Sequence, residues 1–412
     1  LNLFRFKKLN QQEQNFGNLS LITNAFQNCY LNTSKTNSYF VNLINSVEGD
    51  YSRYLFFYLS KIIENKDFKT AKKISNTIDP LRSGLLISQA KKWIDDKNTD
   101  RFSEYFSCKN ENDLLAEFFF LISNLYSSQD RFEKSNFYLH ISNYLNPKFY
   151  FNLSLIAENY FSKNKFDLTK KILQKFNKKN EIYYWYKLKK IAQIYANEKS
   201  ETVSLNYLNE KVQDIKNPSS KIYYDLANFY KGYKKYNEAI EYYSLVLSEL
   251  DKNSITYADI LYRRGGSFER LGRYEESDQD LLQSLKIRPN DPYTLNYLAY
   301  GWLERGYKID TSLEMLNKAY KQKKDDPYII DSLGWGYYLI GDYKNAERYL
   351  RKAVELLPDD PIASDHYGDA LWRLNRKLQA KYFWASALES DEVDDDMKKD
   401  IKHKLQNGLN KI

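Results

Sequence analysis

Glycine and proline are scarce in this chain, 14 and 8 of 412 residues. That leaves little room for a loop-rich β protein or for a flexible Gly/Pro linker. Where proline does occur it punctuates: Pro147, Pro289 and Pro358 each close a helical pattern. Two cysteines are present, Cys29 and Cys108, and no CxxC or zinc spacing exists. The longest apolar runs, around Tyr54–Leu59 and Phe118–Ile122, are far too short to span a bilayer. No HExxH, P-loop, GxSxG or dinucleotide fingerprint occurs, so neither an enzyme nor a cofactor is expected. No leader-like segment opens the chain, but it begins with Leu1 rather than Met, so that absence carries no weight. The formal charge of +8 is modest for the length and goes with an abundance of Lys, Asn, Ile and Tyr throughout.

The clearest stretch runs from Leu333 to Pro361. Apolar and small residues recur at helical spacing through Leu333, Gly334, Tyr337, Leu339 and Ile340. Gly341-Asp342 interrupts them, a second periodic run follows through Ala346, Tyr349, Leu350, Ala353 and Val354, and Pro358 stops it. This predicts a helix, a tight turn and a second helix. Such a hairpin cannot bury its own apolar faces and needs neighbours. With Gly334 at position eight of a unit of about 34 residues, position eleven is Tyr337, twenty Ala346, twenty-seven Ala353 and thirty-two Pro358. The same grid places Gly368 and Ala380, Ala299 and Ser312, Gly265 and Ser277, and Ala227 and Ala239, with insertions near Asp251–Ser254 and Gly306–Asp310. It weakens toward the N-terminus, where Ser123 and Ala157 still fit and residues 16–47 form a degenerate first hairpin. Residues Asp394–Leu409 read as one polar helix with a single apolar stripe, Met397, Ile401, Leu405 and Leu409, suited to capping a stack.

Small residues at eight and twenty, an aromatic at eleven and proline at thirty-two resemble the tetratricopeptide repeat (TPR). The match is strong over 220–392 and weaker over 113–218. The runs IIDSLGW and DHYGDALWR also resemble a group of long bacterial TPR proteins common in alphaproteobacteria, relatives of which often carry an export signal. The resemblance implies an all-α, right-handed α-solenoid of nine or ten hairpins with a C-terminal capping helix. Its stretches would be degenerate repeats at 1–110, divergent repeats at 111–218, well-formed repeats at 219–392 and the cap at 393–412. In a solenoid, residues as far apart as Cys29 and Cys108 are not expected to meet, so both are read as buried, inert thiols.

The resemblance further implies a non-catalytic scaffold or adaptor that holds a protein or peptide segment in a concave groove. Positions two, five, nine and twelve face that groove. In the C-terminal half they are Tyr293, Asn296, Tyr300, Tyr328, Asp331, Trp335, Tyr338, Asp365, Asp369 and Trp372. Rings there supply apolar area at low entropic cost, and amides and carboxylates pair with a peptide backbone. The carboxylate clamp of chaperone-binding TPR domains is broken, since Asp225 and Asp259 stand among its nearest counterparts, Lys189, Gln193 and Arg263.

An alternative lies in residues 163–199, where lysines alternate with Phe176, Tyr183, Tyr184, Trp185 and Tyr186. Basic charge among stacking rings is the footprint of single-stranded nucleic acid or another polyanion, with Lys178, Lys179, Lys187, Lys189 and Lys190 as the patch. His140, His366 and His403 are isolated in sequence, and no metal site is expected. The expected partner is a protein segment, the expected state a monomer or weak oligomer. Localisation leans to periplasm or envelope if an export signal precedes the chain, and otherwise to the cytoplasm.

Overall fold

A computed structural model of the protein describes residues 19–46, 52–390 and 393–409. Residues 16–18 and 47 of the expected first hairpin, and Asp391 and Glu392 before the cap, lie outside the described residues. Every described element is helical. The helices follow one another as helix–turn–helix elements: α1 (Leu19–Tyr30) and α2 (Thr36–Ile44); α3 (Tyr54–Glu64) and α4 (Phe68–Ser75); α5 (Leu85–Asp95) and α6 (Arg101–Tyr105); α7 (Glu111–Ser127) and α8 (Phe132–Leu145); α9 (Phe151–Ser162) and α10 (Phe166–Leu173); α11 (Glu181–Glu198) and α12 (Glu201–Gln213); α13 (Ser220–Gly232) and α14 (Tyr236–Glu249); α15 (Ile255–Arg270) and α16 (Tyr274–Ile287); α17 (Pro292–Glu304) and α18 (Ile309–Gln322); α19 (Pro327–Leu339) and α20 (Tyr343–Leu356); α21 (Pro361–Arg373) and α22 (Lys377–Ala387). A last helix, α23 (Asp395–Asn407), follows. The chain divides into two compact units, Leu1–Ile222 and Tyr223–Ile412.

The turns explain the periodicity. A residue with left-handed φ sits in the turn of every hairpin except α11–α12, at Asn32, Lys66, Lys97, Asp130, Asn164, Lys234, Gly272, Gly306, Gly341 and Asn375. A chain that reverses between packed helices in two or three residues needs that conformation once, and Gly or Asn adopts it at least cost. The expected insertion near Gly306–Asp310 carries a second left-handed residue, Lys308.

In unit 2 the small residues act as the grid requires. A Cβ on Gly334 would lie 2.7 Å from Leu350 Cγ and 3.0 Å from the Leu350 backbone nitrogen. On Gly368 it would meet the Trp384 ring at 2.5 Å. The first helices of three consecutive repeats start the same way, with Asp as N-cap and Pro next: Asp291-Pro292, Asp326-Pro327 and Asp360-Pro361. Each Asp side chain accepts from a backbone N–H three residues on, and each proline occupies a position whose own N–H would have no partner. Helix α23 buries Ile401, with Met397, Leu405 and Leu409 packed beside it on the core of α20–α22.

Unit 1 departs from neighbour-only stacking. Its core is a cluster of rings in which Phe56, Phe57, Trp93, Phe102, Phe106 and Phe149 interlock, with Phe57 and Phe106 centroids 4.6 Å apart. Helix α3 packs on both α5 and α6, and α11 reaches back to α5. Arg53 lies inside this core, 3.7 Å over the Phe120 ring and 2.5 Å from Glu117. Burial pushes the Glu117 carboxyl up despite that partner. This packing also corrects the expectation of two separate thiols. Cys29, in the last turn of α1, and Cys108, just before α7, form a disulfide with Cα atoms 5.7 Å apart, across a sequence separation of 79. Residues that distant meet because the short α4 and α6 let unit 1 fold round one aromatic cluster.

Candidate binding face of the second unit

The first helices of unit 2 present a continuous strip of polar and aromatic side chains. It begins on α13 and α15. Tyr243 Oη–H donates to Asn228 Oδ1 at 2.8 Å, and Arg263 donates weakly to the same oxygen at 3.4 Å. Tyr297 on α17 donates to Glu269 at 3.0 Å. Burial, reinforced by Glu304, Asp331 and Glu269, pushes the Tyr300 hydroxyl well above its ordinary range, so it stays a neutral donor.

On α19 the strip becomes a stack. The Trp335 ring lies between Tyr338, centroids 4.6 Å apart, and His366 of the next repeat, 4.0 Å apart, both nearly parallel. Its indole N–H donates to Glu304 Oε1 at 2.5 Å. His366 Nδ1 lies 3.0 Å from Asp331 Oδ2. Burial alone would lower the His366 pKa, but Asp331, with Asp365 and Asp369 behind it, outweighs burial and raises it. When protonated, an imidazole stacked on an indole adds cation–π attraction.

Beyond that stack the strip is already occupied by the chain itself. Lys404 of α23 inserts its ammonium between Asp365, at 2.8 Å, and Asp369, at 3.1 Å. The other Asp369 oxygen accepts from the Trp384 indole at 2.9 Å. Burial and then Asp365 push the Asp369 carboxyl up to about 6 against the opposing pull of Lys404. Trp372 packs on Trp384 and lies against Gly408, just after α23.

The ten residues expected to face a ligand therefore divide. Tyr293 and Tyr328 are exposed, at 46% and 62%. Asn296, Tyr300, Trp335, Tyr338 and Trp372 are half-buried. Asp331, Asp365 and Asp369 are corrections to the open groove: they are buried, and each is paired with a side chain of the chain itself, Asp331 with His366 and the other two with Lys404. Positions two, five, nine and twelve miss Arg263, Tyr297 and His366 at position six, and Arg270 and Glu304 at position thirteen. Both positions lie one helical turn from position nine, and counting them would have found these residues.

The basic stretch of unit 1 is also corrected. Phe176, Tyr183, Trp185 and Tyr186 are core residues, buried on both sides of α11, and cannot stack on bases. Lys190 is buried 2.8 Å from Glu158 and lies over Phe161. Lys187 donates to the Phe176 carbonyl, and its burial lowers its pKa. Lys178 faces Asp214 at 3.8 Å, Lys179 is exposed and Lys189 is half-buried. The five lysines do not form one free face.

Among the described residues no group of His, Cys, Asp or Glu is placed to hold a metal ion, and no helix is long and apolar enough to cross a membrane.

Comparison with known families decides the nature of the repeats. A tetratricopeptide repeat model matches residues 220–249, 258–291 and 331–360. The chain carries TPR repeats. A TPR protein from Parabacteroides merdae superposes with a TM-score of 0.50 at 17% identity, over 63% of this chain and 99% of that one. A thermophilic TPR protein from Thermus thermophilus (TM-score 0.39, 19% identity, 46% of this chain and 100% of that one) and MamA from Desulfovibrio magneticus (0.36, 20%, 43% and 97%) superpose too loosely to support an argument. No curated protein matches the chain. TPR repeats serve in general as protein–protein interaction scaffolds, and the helix pairs within each unit pack in tandem as such repeats do.

Proposed function

We propose that the chain is a non-catalytic adaptor that holds a segment of another protein along the first helices α15, α17 and α19 of unit 2. The observation that carries this reading is Asn296. Its Oδ1 is buried without a hydrogen-bond partner, midway along the strip between the exposed Tyr293 and the half-buried Tyr300. A buried, unsatisfied acceptor costs on the order of 1–3 kcal/mol, and an extended segment supplies backbone N–H groups at that spacing. Tyr328 and the edge of the Trp335–Tyr338 stack extend the same surface with ring area. Asn296→Ala and Tyr300→Ala test it. Both variants should keep their helicity and lose capture of the partner recovered by crosslinking; full capture by the double variant contradicts the groove.

The Cys29–Cys108 bridge supports an oxidising compartment for this adaptor, the periplasm or envelope space. Peptide mapping of the protein from its own cell, alkylated without reduction, should recover the linked pair. Two alkylated thiols would place it in a reducing compartment.

A further inference from the structure

Helices α7 and α8 of unit 1 turn an apolar face to water. Leu115, Phe118 and Leu125 on α7 and Phe137 and Tyr144 on α8 are exposed, Tyr144 at 85%. Their spacings of three and seven residues set each group along one side of its helix. A ladder of rings joins the two sides. Phe118 meets Phe119 with centroids 5.8 Å apart, Phe119 stacks on Tyr138 at 6.1 Å, and Tyr138 meets Phe137 at 5.3 Å. Single exposed apolar residues are ordinary, but five joined in this way expose on the order of 500 Å², an area at which a surface patch marks an interaction.

Charge is nearly absent from this face and collects at its border. Between Glu111 and Asp130 the sequence carries two charged residues, Asp113 and Glu117, and both are buried, accepting from the Ser107 backbone N–H and from Arg53. On α8, burial and then the charge of Lys175 lower the His140 pKa, which keeps the ring uncharged at neutral pH. At the α7–α8 turn a recess of about 420 Å³ opens, and Arg131, Lys134, Lys163 and Lys165 line it with two acids, Asp130 and Glu133. Lys165 faces Glu133 at 3.9 Å, whereas among the described residues Arg131, Lys134 and Lys163 pair with no carboxylate. The recess adjoins the apolar face, since Lys134 Nζ lies 5.6 Å over the Tyr126 ring, which itself stacks on Tyr138 of the ladder.

We propose that α7 and α8 lay this face on a membrane surface rich in anionic phospholipid, with Leu115, Phe118, Leu125, Phe137 and Tyr144 entering the interfacial layer and the basic recess taking a lipid phosphate. The combination of apolar side chains, tyrosines and bordering cations is what holds a helix in the plane of a bilayer without crossing it. Neither helix is long and apolar enough to span one. A second copy of the chain would bring the same unpaired cations to the contact, whereas an anionic lipid surface supplies the charge they lack. The proposal concerns unit 1 and stands apart from the reading of unit 2 as a groove.

The test is flotation of the full chain with vesicles of phosphatidylglycerol and phosphatidylethanolamine, against vesicles of phosphatidylcholine alone. The chain should float with the anionic vesicles and much less with the zwitterionic ones. Phe118→Ser with Phe137→Ser should weaken the binding about tenfold by removing apolar area. Lys134→Gln with Lys163→Gln should weaken it about tenfold by removing charge at the border. Leu378→Ser, at an equally exposed leucine on α22, should leave it unchanged. Circular dichroism checks that each variant is folded; if the double serine variant is not, Tyr144→Ser decides. Sedimentation velocity without vesicles should give the same mass for the wild type and the double serine variant. No flotation with anionic vesicles, undiminished flotation of either double variant, or an equal loss in Leu378→Ser overturns the proposal. A wild-type dimer that the double serine variant dissociates also overturns it, and assigns the face to a second copy of the chain.

Discussion

Lys404 Nζ lies 2.8 Å from Asp365 Oδ2, and this contact joins the last helix of the chain to the first helix of its last repeat. The ammonium is almost wholly enclosed and also meets Asp369 at 3.1 Å and Asp400 at 3.0 Å. Removing it leaves two carboxylates buried without a counter-ion. Lys404→Ala is expected to destabilise unit 2 by about 3–5 kcal/mol, measured by urea denaturation. An unchanged midpoint would mean that α23 is held by Ile401 and its apolar neighbours alone.

Close approach gives a second expectation. Gly368→Ala places a methyl group 2.5 Å from the Trp384 ring, whose indole N–H is committed to Asp369. The ring has to shift, and the substitution should cost about 1–3 kcal/mol. Gly301, with no atom within 4 Å of its virtual Cβ, is the internal control: Gly301→Ala should be neutral or slightly stabilising in the same assay.

These two glycines also mark what the sequence makes legible. A small residue at position eight reports a helix pair directly, because both partners lie within one repeat and the grid counts them. Lys404 and His366 were invisible to that grid. Their partners lie 39 and 35 residues upstream, in another repeat, and charge pairing across repeats leaves no periodic trace. The same limit hid the Cys29–Cys108 bridge, since unit 1 folds round a ring cluster that no 34-residue spacing describes. The lysine–aromatic run of α11 misled for a related reason. Alternating Lys and Tyr suit an exposed nucleic-acid face, but a helix packed on both sides buries Tyr183 and Trp185 and turns Lys190 inward.

His366 makes the stability of unit 2 depend on pH. Its folded pKa is raised above the ordinary value of 6.5, so the stabilisation is complete below 6.5 and is lost as pH rises through the folded value. The groups facing the ring are Asp331 and Trp335 from α19 and Asp365 and Asp369 from α21. Thermal melts should show unit 2 losing stability across this window. Most of that slope should disappear in His366→Gln, and a variant that keeps the full wild-type slope would assign it to the carboxylates instead.

The disulfide closes a loop of about eighty residues in unit 1. On the chain-entropy account its removal costs on the order of 4 kcal/mol. Cys29→Ser with Cys108→Ser, or reduction of the wild type, should lower the melting temperature of unit 1 and leave the urea midpoint of unit 2 unchanged. Equal losses in both units would show that the two do not unfold independently.

The measurement closest to the central claim is site-specific photocrosslinking in the native cell. A photoreactive residue replaces Tyr328 on the first helix α19, or, as control, Tyr382, exposed at 69% on the second helix α22. The groove account predicts one discrete adduct from Tyr328, weakened by Asn296→Ala, and none of that species from Tyr382. The same adduct from both positions, or from Tyr382 alone, would contradict it.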